Sequence, residues 1–219
     1  MKVRDRMSRD VASINLEASV TEAFRIMKEK NIRRLPVLEK EKLVGIITLS
    51  DLNQASPSTA TSLSIHELNY ILARTKIADV IPKKQQLITA TPENYIETAA
   101  RLMLENRISG LPVVEAGELV GIITETDLFR ALIDILGVKR PHTRIDTFVP
   151  EGPGGLAELT GLIAARGINI INSVVYYDQA LDKYKVILRI EELNYQPVVE
   201  DLKSRGYDIE SVIVNTRVD

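Results

Sequence analysis

Two threonine–aspartate pairs are the residues of this sequence best suited to chemistry. Thr48 precedes Asp51 by three residues, and Thr124 precedes Asp127 by three. Each threonine ends an apolar, β-branched run, which predicts a buried strand, and a helix is predicted to begin near each aspartate. The threonine hydroxyl and the first N–H groups of that helix suit a phosphate, and an ionised carboxylate can accept from two ribose hydroxyls. The pairs are therefore candidate sugar-phosphate sites.

Both pairs belong to a segment that occurs twice in the sequence. Asp51 and Asp127 are 76 positions apart, and so are Pro36 and Pro112. A threonine or an aspartate at this place can also serve only as a helix cap, and a single copy would favour that interpretation. Two intact copies behind the same predicted strand favour binding.

Hydrophobic periodicity predicts the elements that position the pairs. In each repeat a helix leads to a short Leu-Pro-Val strand, a turn, and the buried strand that ends at the threonine. The first repeat covers about 1–55 and is followed by a polar loop at 56–62 and an inter-repeat helix at 64–75. The second repeat covers about 77–136. The helices that open the two repeats are predicted at 19–32 and 95–108.

The pattern changes after Gly137, where a glycine and a following proline predict a helix end and a linker. The remaining elements alternate in a βαββαβ order, which predicts a four-stranded antiparallel sheet with two helices on one face. The strands are predicted at 143–149, 168–177, 184–191 and 209–215, and the helices at 156–166 and 197–205. The fold class is thus α/β (α+β), with a first region at 1–136 and a second at 142–219.

The repeats resemble CBS domains, which pair in tandem as a Bateman module and bind adenine nucleotides or related adenosyl ligands. The motif that carries the resemblance is Gly-x-x-Thr-x-x-Asp with two hydrophobic residues after the glycine, at 45–51 and 121–127. The segment 142–219 resembles a ferredoxin-like ACT domain, through Pro-Gly-Gly-Leu at 153–156 and Gly-Ile-Asn-Ile at 167–170. The whole arrangement resembles the acetoin utilization AcuB group.

The CBS resemblance implies a set of nucleotide-binding residues. They are Arg33, Arg34, Pro36, Val37, Thr48, Asp51, Ser109, Pro112, Val113, Thr124 and Asp127. By the same resemblance, basic residues of one repeat face the motif of the other. Arg33 and Arg34 would join Thr124 and Asp127 in one phosphate-binding cleft, and a less positive site would hold Thr48, Asp51, Ser109 and Gly110. The alternative is that both arginines are solvated at a helix exit.

The ACT resemblance implies a second set of ligand candidates. The glycine-rich loop offers a flexible bend and free N–H groups at a helix start, which suit a carboxylate. These candidates are Gly152, Gly154, Leu156 and Asn169. The glycines could instead satisfy only the backbone geometry of a strand-to-helix turn. ACT-like sheets often pair edge to edge, so this region could serve chiefly to form a homodimer.

Composition excludes several classes of function. The chain of 219 residues has a net charge of −2 and no cysteine. The charge gives no attraction to nucleic acid or to an anionic membrane, and the missing cysteines exclude disulfides and thiolate catalysis. No apolar run approaches about 18 residues, and the first residues lack a signal peptide's apolar core. We expect a cytoplasmic protein with no metal site, catalytic residue or catalytic cofactor.

The sequence therefore predicts a regulatory, non-enzymatic sensor of an adenine nucleotide of the AMP, ADP or ATP class. The nucleotide would act as a regulatory ligand between the paired CBS domains. Its binding would be relayed to the ACT domain or to a metabolic enzyme partner. The AcuB-like arrangement implies a link to acetoin metabolism. The alternatives are a constitutive oligomerisation scaffold, a sensor of S-adenosylmethionine or of an amino acid, and an enzyme acting on the bound nucleotide.

Overall fold

The computed structural model describes residues 1–57, 64–82 and 86–216. The chain divides into two compact units, Met1–Leu128 and Phe129–Asp219. Part of the loop predicted at 56–62 lies outside the described residues, since residues 58–63 are not among them.

The first unit contains the two repeats. Its helices are α1 (Val20–Glu29), α2 (Leu49–Ala55), α3 (Ile65–Arg74), α4 (Ile77–Val80) and α5 (Ile96–Asn106), after a 3-10 turn at Val3–Asp5. Its strands are β1 (Ile14–Asn15), β2 (Arg34–Glu39), β3 (Lys42–Thr48), β4 (Gly110–Glu115) and β5 (Glu118–Thr124). Helix α6 (Glu125–Leu136) follows β5 and continues into the second unit.

The two repeats fold alike around their hairpins. Strands β2 and β3 pair antiparallel, β4 and β5 do the same, and both hairpins carry a register shift at the equivalent place. The parallel strand β1 flanks β2, whereas in the second repeat a single parallel bridge joins Ala90 to Val113. The structure confirms the helices and hairpins predicted from the repeat. The 3-10 turn, β1 and α4 were not predicted, because each is too short to show a periodicity.

The repeats exchange their first segments. Val3 donates its N–H to Asn94 O at 2.8 Å, and Ser8 exchanges two backbone hydrogen bonds with Ile122 of β5. Conversely, Ile77 of α4 donates to Ala18 O at 2.9 Å and is fully buried in the core of the first repeat. The segment that opens each repeat in the sequence thus packs on the other repeat.

The apolar faces of the helices close each core. In α1 the buried residues are Val20, Ala23 and Met27, and in α5 they are Ile96, Ala99 and Met103. This i, i+3, i+7 spacing places one apolar stripe on each helix. Helix α1 begins at Ser19, whose side chain accepts from Glu22 N, a typical N-cap contact.

The second unit has the predicted βαββαβ order. Its elements are β6 (His142–Val149), α7 (Gly155–Ala165), β7 (Ile170–Asp178), β8 (Lys183–Ile190), α8 (Gln196–Ser204) and β9 (Ile209–Asn215). The strands form an antiparallel sheet in the order β7-β8-β6-β9. One face of the sheet packs with both helices in a core that includes Ile145, Leu159, Leu188 and Leu202. The two outer strands are β7 and β9.

Candidate functional site

Thr48 and Asp51 form a capping box at the start of α2. The N–H and the hydroxyl of Thr48 donate to Oδ2 of Asp51 at 2.8 and 2.6 Å, and Asp51 N donates back to Thr48 Oγ1 at 3.2 Å. The cap interpretation is therefore realised in the structure. It uses one carboxylate oxygen, and no described residue donates to Oδ1 of Asp51.

Thr124 and Asp127 repeat this arrangement before α6. The N–H and the hydroxyl of Thr124 donate to Oδ2 of Asp127 at 2.9 and 2.7 Å. All four side chains are half-buried. The cap fixes each carboxylate at a helix N-terminus, beside N–H groups that favour an anion. Capping and ligand binding can therefore use the same aspartate.

Arg34 crosses from the first repeat to the second. Its Nη2 donates to Ser109 Oγ at 2.5 Å. A Cβ built on Gly110 would clash with Nη1 of Arg34 and lie 3.1 Å from its Cζ. The backbone of Gly110 pairs with Thr124 in the hairpin, just as Arg34 pairs with Thr48. The guanidinium therefore lies where the entry strands of both repeats meet, beside both threonine-bearing strands.

This contact corrects the expected division of the two sites. Sequence reasoning placed Ser109 and Gly110 in a less positive site, away from the arginines. In the structure Arg34 contacts both of them, because Gly110 has no side chain to exclude the guanidinium. Arg33, by contrast, is exposed, and its carbonyl accepts from Leu49 N at 2.9 Å.

The surroundings of Arg34 compensate its positive charge only in part. Burial lowers the pKa of Arg34, and the nearby positive charge of Arg33 lowers this pKa further. Only Glu125, the first residue of α6, acts in the opposite direction. A half-buried guanidinium beside a second arginine suits an anion, because a phosphate would compensate the charge that burial removes from water.

The four strand residues among the nucleotide-binding candidates are buried. The side chains of Val37 and Val113 have no exposed surface, and Val37 belongs to the core of the first repeat. Their side chains therefore pack inside the repeats, and their role in binding stays a prediction. Pro36 and Pro112 occupy the opposite side of the same strands and are also buried.

The ligand candidates of the second unit do not all lie together in the structure. Gly152 and Gly154 have positive φ angles of 124° and 101° in the loop that follows β6, and Leu156 packs against the core. Asn169 lies at the opposite end of the sheet, where its amide donates to Glu191 Oε2 at 2.8 Å. Within one chain Asn169 and the glycine loop therefore lie at opposite ends of the sheet, and the binding of a ligand by either stays a prediction. The glycines satisfy a turn that needs left-handed backbone.

A cavity that sequence reasoning missed lies near the glycine loop. Its volume is about 280 Å³. Tyr177 and Tyr184 contact edge to face in its lining, with ring centroids 5.2 Å apart, and Lys183 lies 5.4 Å from the centroid of the Phe148 ring. The only sequence signal for this cavity was a pair of tyrosines. Tyr177 ends one predicted strand and Tyr184 begins the next.

Among the residues that the structure describes, no group of three or more His, Asp or Glu side chains could hold a metal ion. In the same residues, no helix has the length and apolar character needed to cross a membrane.

Comparisons with known proteins agree with the duplicated architecture. The CBS domain family matches residues 3–58 and 77–134. An uncharacterized protein of Methanocaldococcus jannaschii, MJ0188, is 28% identical over 69% of this chain, which spans only 52% of that protein. The crystal structure of a putative acetoin utilization protein (AcuB) from Vibrio cholerae matches with a TM-score of 0.51 and 27% identity, over 63% of this chain and 94% of that one.

A further solved structure contains a bound nucleotide. The crystal structure of CBSX2 in complex with AMP matches with a TM-score of 0.50 and 28% identity, over 61% of this chain and 97% of that chain.

Proposed function

This chain belongs to the CBS domain family, and on that premise we propose that it is a regulatory sensor that binds an adenine nucleotide between its two repeats. The observation that carries the proposal is the reach of Arg34 from one repeat to Ser109 and Gly110 of the other. A ligand that bonds to this guanidinium and to a Thr–Asp pair bridges both repeats. Such a ligand can shift their equilibrium, because its affinity differs between arrangements of the repeats.

The chemistry of the cleft supports a nucleotide. Arg34 and Arg33 offer positive charge for a phosphate. The N-terminus of α6 adds N–H groups next to Thr124, and Oδ1 of Asp51 is available to a ribose hydroxyl. The AMP named with CBSX2 belongs to that protein and supports, by likeness, an adenine nucleotide here.

We also propose that the second unit is an ACT domain that relays the bound state. Its βαββαβ order and its β7-β8-β6-β9 sheet support this proposal. The outer strands β7 and β9 could pair with a second copy, which would give a homodimer. The likeness to a putative acetoin utilization protein supports a link to acetoin metabolism, and we propose that the relay acts there on a metabolic enzyme. The protein would act in the cytoplasm without catalysing a reaction.

One observation favours a second candidate function, a ligand-free scaffold. The hydrogen bonds of Thr48 and Asp51 are explained by helix capping alone. In a scaffold the repeats and the second unit would only hold oligomers together.

Calorimetric titration with AMP, ADP, ATP and S-adenosylmethionine separates the two functions. A sensor gives saturable heat with at least one adenine nucleotide, and native mass spectrometry then shows that ligand retained with unchanged mass. Heat with S-adenosylmethionine but with none of the three nucleotides would show that the ligand is an adenosyl compound and not a nucleotide. No heat with any of the four, together with an unchanged melting temperature, would refute the sensor.

A further inference from the structure

An arginine in the second unit is buried without a full set of partners. Arg189 of β8 is only 5% exposed. Its Nε and Nη1 are shielded from solvent and donate to no described residue, and Oδ1 of Asn172 is shielded without a donor. Buried polar groups in folded proteins nearly always have partners, so two orphan donors on one cation indicate that something binds there.

Arg189 lies in the middle of the sheet face that carries no helix. Its neighbours in the register are Arg144 on β6 and Asn172 on β7. Leu188 and Ile190, which flank it in β8, belong to the core under the two helices. Because side chains alternate along a strand, Arg189 points to the opposite face.

The charges nearby do not neutralise this guanidinium. Asp146 is the close carboxylate, but Nε and Nη2 of Arg144 already donate to its two oxygens, each at 2.7 Å. Burial lowers the pKa of Arg189, Arg144 lowers it further, and Asp146 only partly opposes them. The cluster therefore keeps one buried positive charge in excess, which is unfavourable unless an anion compensates it.

The end of α6 and the two residues after it are hydrogen-bonded to side chains of the outer strands. Asn172 Nδ2 donates to Ile135 O at 2.9 Å, and Asn215 Nδ2 donates to Val138 O at 3.1 Å. Asn172 and Asn215 lie on the two outer strands, so residues 135–138 are hydrogen-bonded to both edges of the sheet. The Ile135 carbonyl is already used by Asn172. These bonds use no donor of Arg189, so its Nε and Nη1 are left without acceptors among the described residues.

We propose that Arg189 and Asn172 form a binding site for a small oxyanion, a phosphate or a short carboxylate, between the sheet and residues 135–138. The oxyanion accepts from the free donors of Arg189, and a hydroxyl on it or an accompanying water donates to Asn172 Oδ1. The small residual exposure of Arg189 restricts the ligand to a few heavy atoms. The site is separate from the nucleotide cleft, because none of its residues is among the nucleotide-binding candidates.

The test is thermal unfolding of the full chain with sodium phosphate, sodium acetate or sodium chloride at constant ionic strength. The Arg34→Ala background removes the phosphate-binding arginine of the nucleotide cleft. At about ten times its Kd, a bound oxyanion should raise Tm by about 3–6 °C. The rise should persist in Arg34→Ala/Lys203→Met, which loses an exposed charge, and disappear in Arg34→Ala/Arg189→Met. Comparing phosphate with acetate distinguishes the two sources of the oxyanion.

A second measurement covers the case in which Arg189→Met fails to fold. In the Arg34→Ala protein, the Nε–H resonance of Arg189 should shift as phosphate or acetate is added. An unchanged resonance, no rise in Tm with either oxyanion, or an equal rise in the Arg189→Met variant would overturn the site. None of these outcomes bears on the nucleotide proposal, which is measured with AMP on a chain that retains Arg34.

Discussion

The guanidinium of Arg34 occupies the space that a side chain at Gly110 would fill. The two residues hold equivalent positions in the two repeats, 76 residues apart, so the duplication has diverged where its copies meet. One copy supplies a long cation and the other supplies the space for it. Because only one repeat has an arginine at this position, the charge of Arg34 serves both repeats at the place where they meet.

Gly110→Ala should disrupt this contact. The added Cβ would clash with Nη1 of Arg34, so the guanidinium, at the end of a flexible and half-buried side chain, would have to move away from Ser109. Because this displacement breaks one hydrogen bond, we expect a loss of about 0.5–1.5 kcal/mol in the free energy of unfolding, measured by urea denaturation. Gly161→Ala is the control, since nothing lies within 4 Å of a Cβ there, and it should be neutral or stabilising.

A double variant identifies the cause of that loss. Arg34→Ala and Gly110→Ala both remove the bond between Arg34 and Ser109, so the loss in the double variant should be smaller than the sum of the two single losses. Additive losses would show that the two side chains do not compete for one space.

Arg34→Ala should weaken nucleotide binding. A charge-assisted hydrogen bond to phosphate contributes about 1.5–3 kcal/mol, so the Kd for AMP measured by calorimetry should rise by about 10- to 150-fold. Arg25→Ala is the control, because that arginine pairs with Glu29 on the exposed surface of α1. Equal Kd values for Arg34→Ala and the wild type would remove Arg34 from the site.

Ile77→Ala should destabilise the first repeat although Ile77 begins the second repeat in the sequence. The side chain is fully buried in the first repeat's core, and truncating it should lower the free energy of unfolding by about 2–5 kcal/mol. Ile65→Ala serves as the control because Ile65 is 74% exposed. Hydrogen exchange should show faster exchange in β2 and β3, and acceleration confined to β4 and β5 would contradict the exchange of segments.

Asp201 should contribute to the pH dependence of stability. A hydrogen bond from Arg166 and the charge of Arg205 lower the pKa of Asp201 in the folded protein. Between the lowered pKa and the ordinary aspartate pKa, the unfolded chain therefore binds more protons than the folded one. The contribution of Asp201 to stability is thus present above the ordinary aspartate pKa and is lost as the pH falls through the lowered value. Asp201→Asn should lower Tm at neutral pH, and the difference from wild type should shrink on acidification. A difference independent of pH would contradict this.

Local sequence information was sufficient for most elements but not for the contacts between them. The helices and hairpins follow from periodicity, and the Thr48–Asp51 box follows from residues three positions apart. The contact of Arg34 with Ser109 joins residues 75 positions apart, and no local pattern encodes it. The surroundings of Arg189 were hidden for a similar reason, because they depend on the register of β8 with β6 and β7.

The most direct test of the central claim is calorimetric titration with AMP of the wild type, Asp51→Asn and Asp127→Asn. The asparagine oxygen can still accept the capping bonds, but the amide donor replaces the second carboxylate oxygen that a ribose hydroxyl needs. Glu67→Gln is the control, since Ser64 and Glu67 form the same type of box on α3. The account predicts that at least one aspartate variant raises the Kd for AMP by about tenfold or more while the control does not. Unchanged AMP affinity in both aspartate variants would show that the two boxes are helix caps and nothing more.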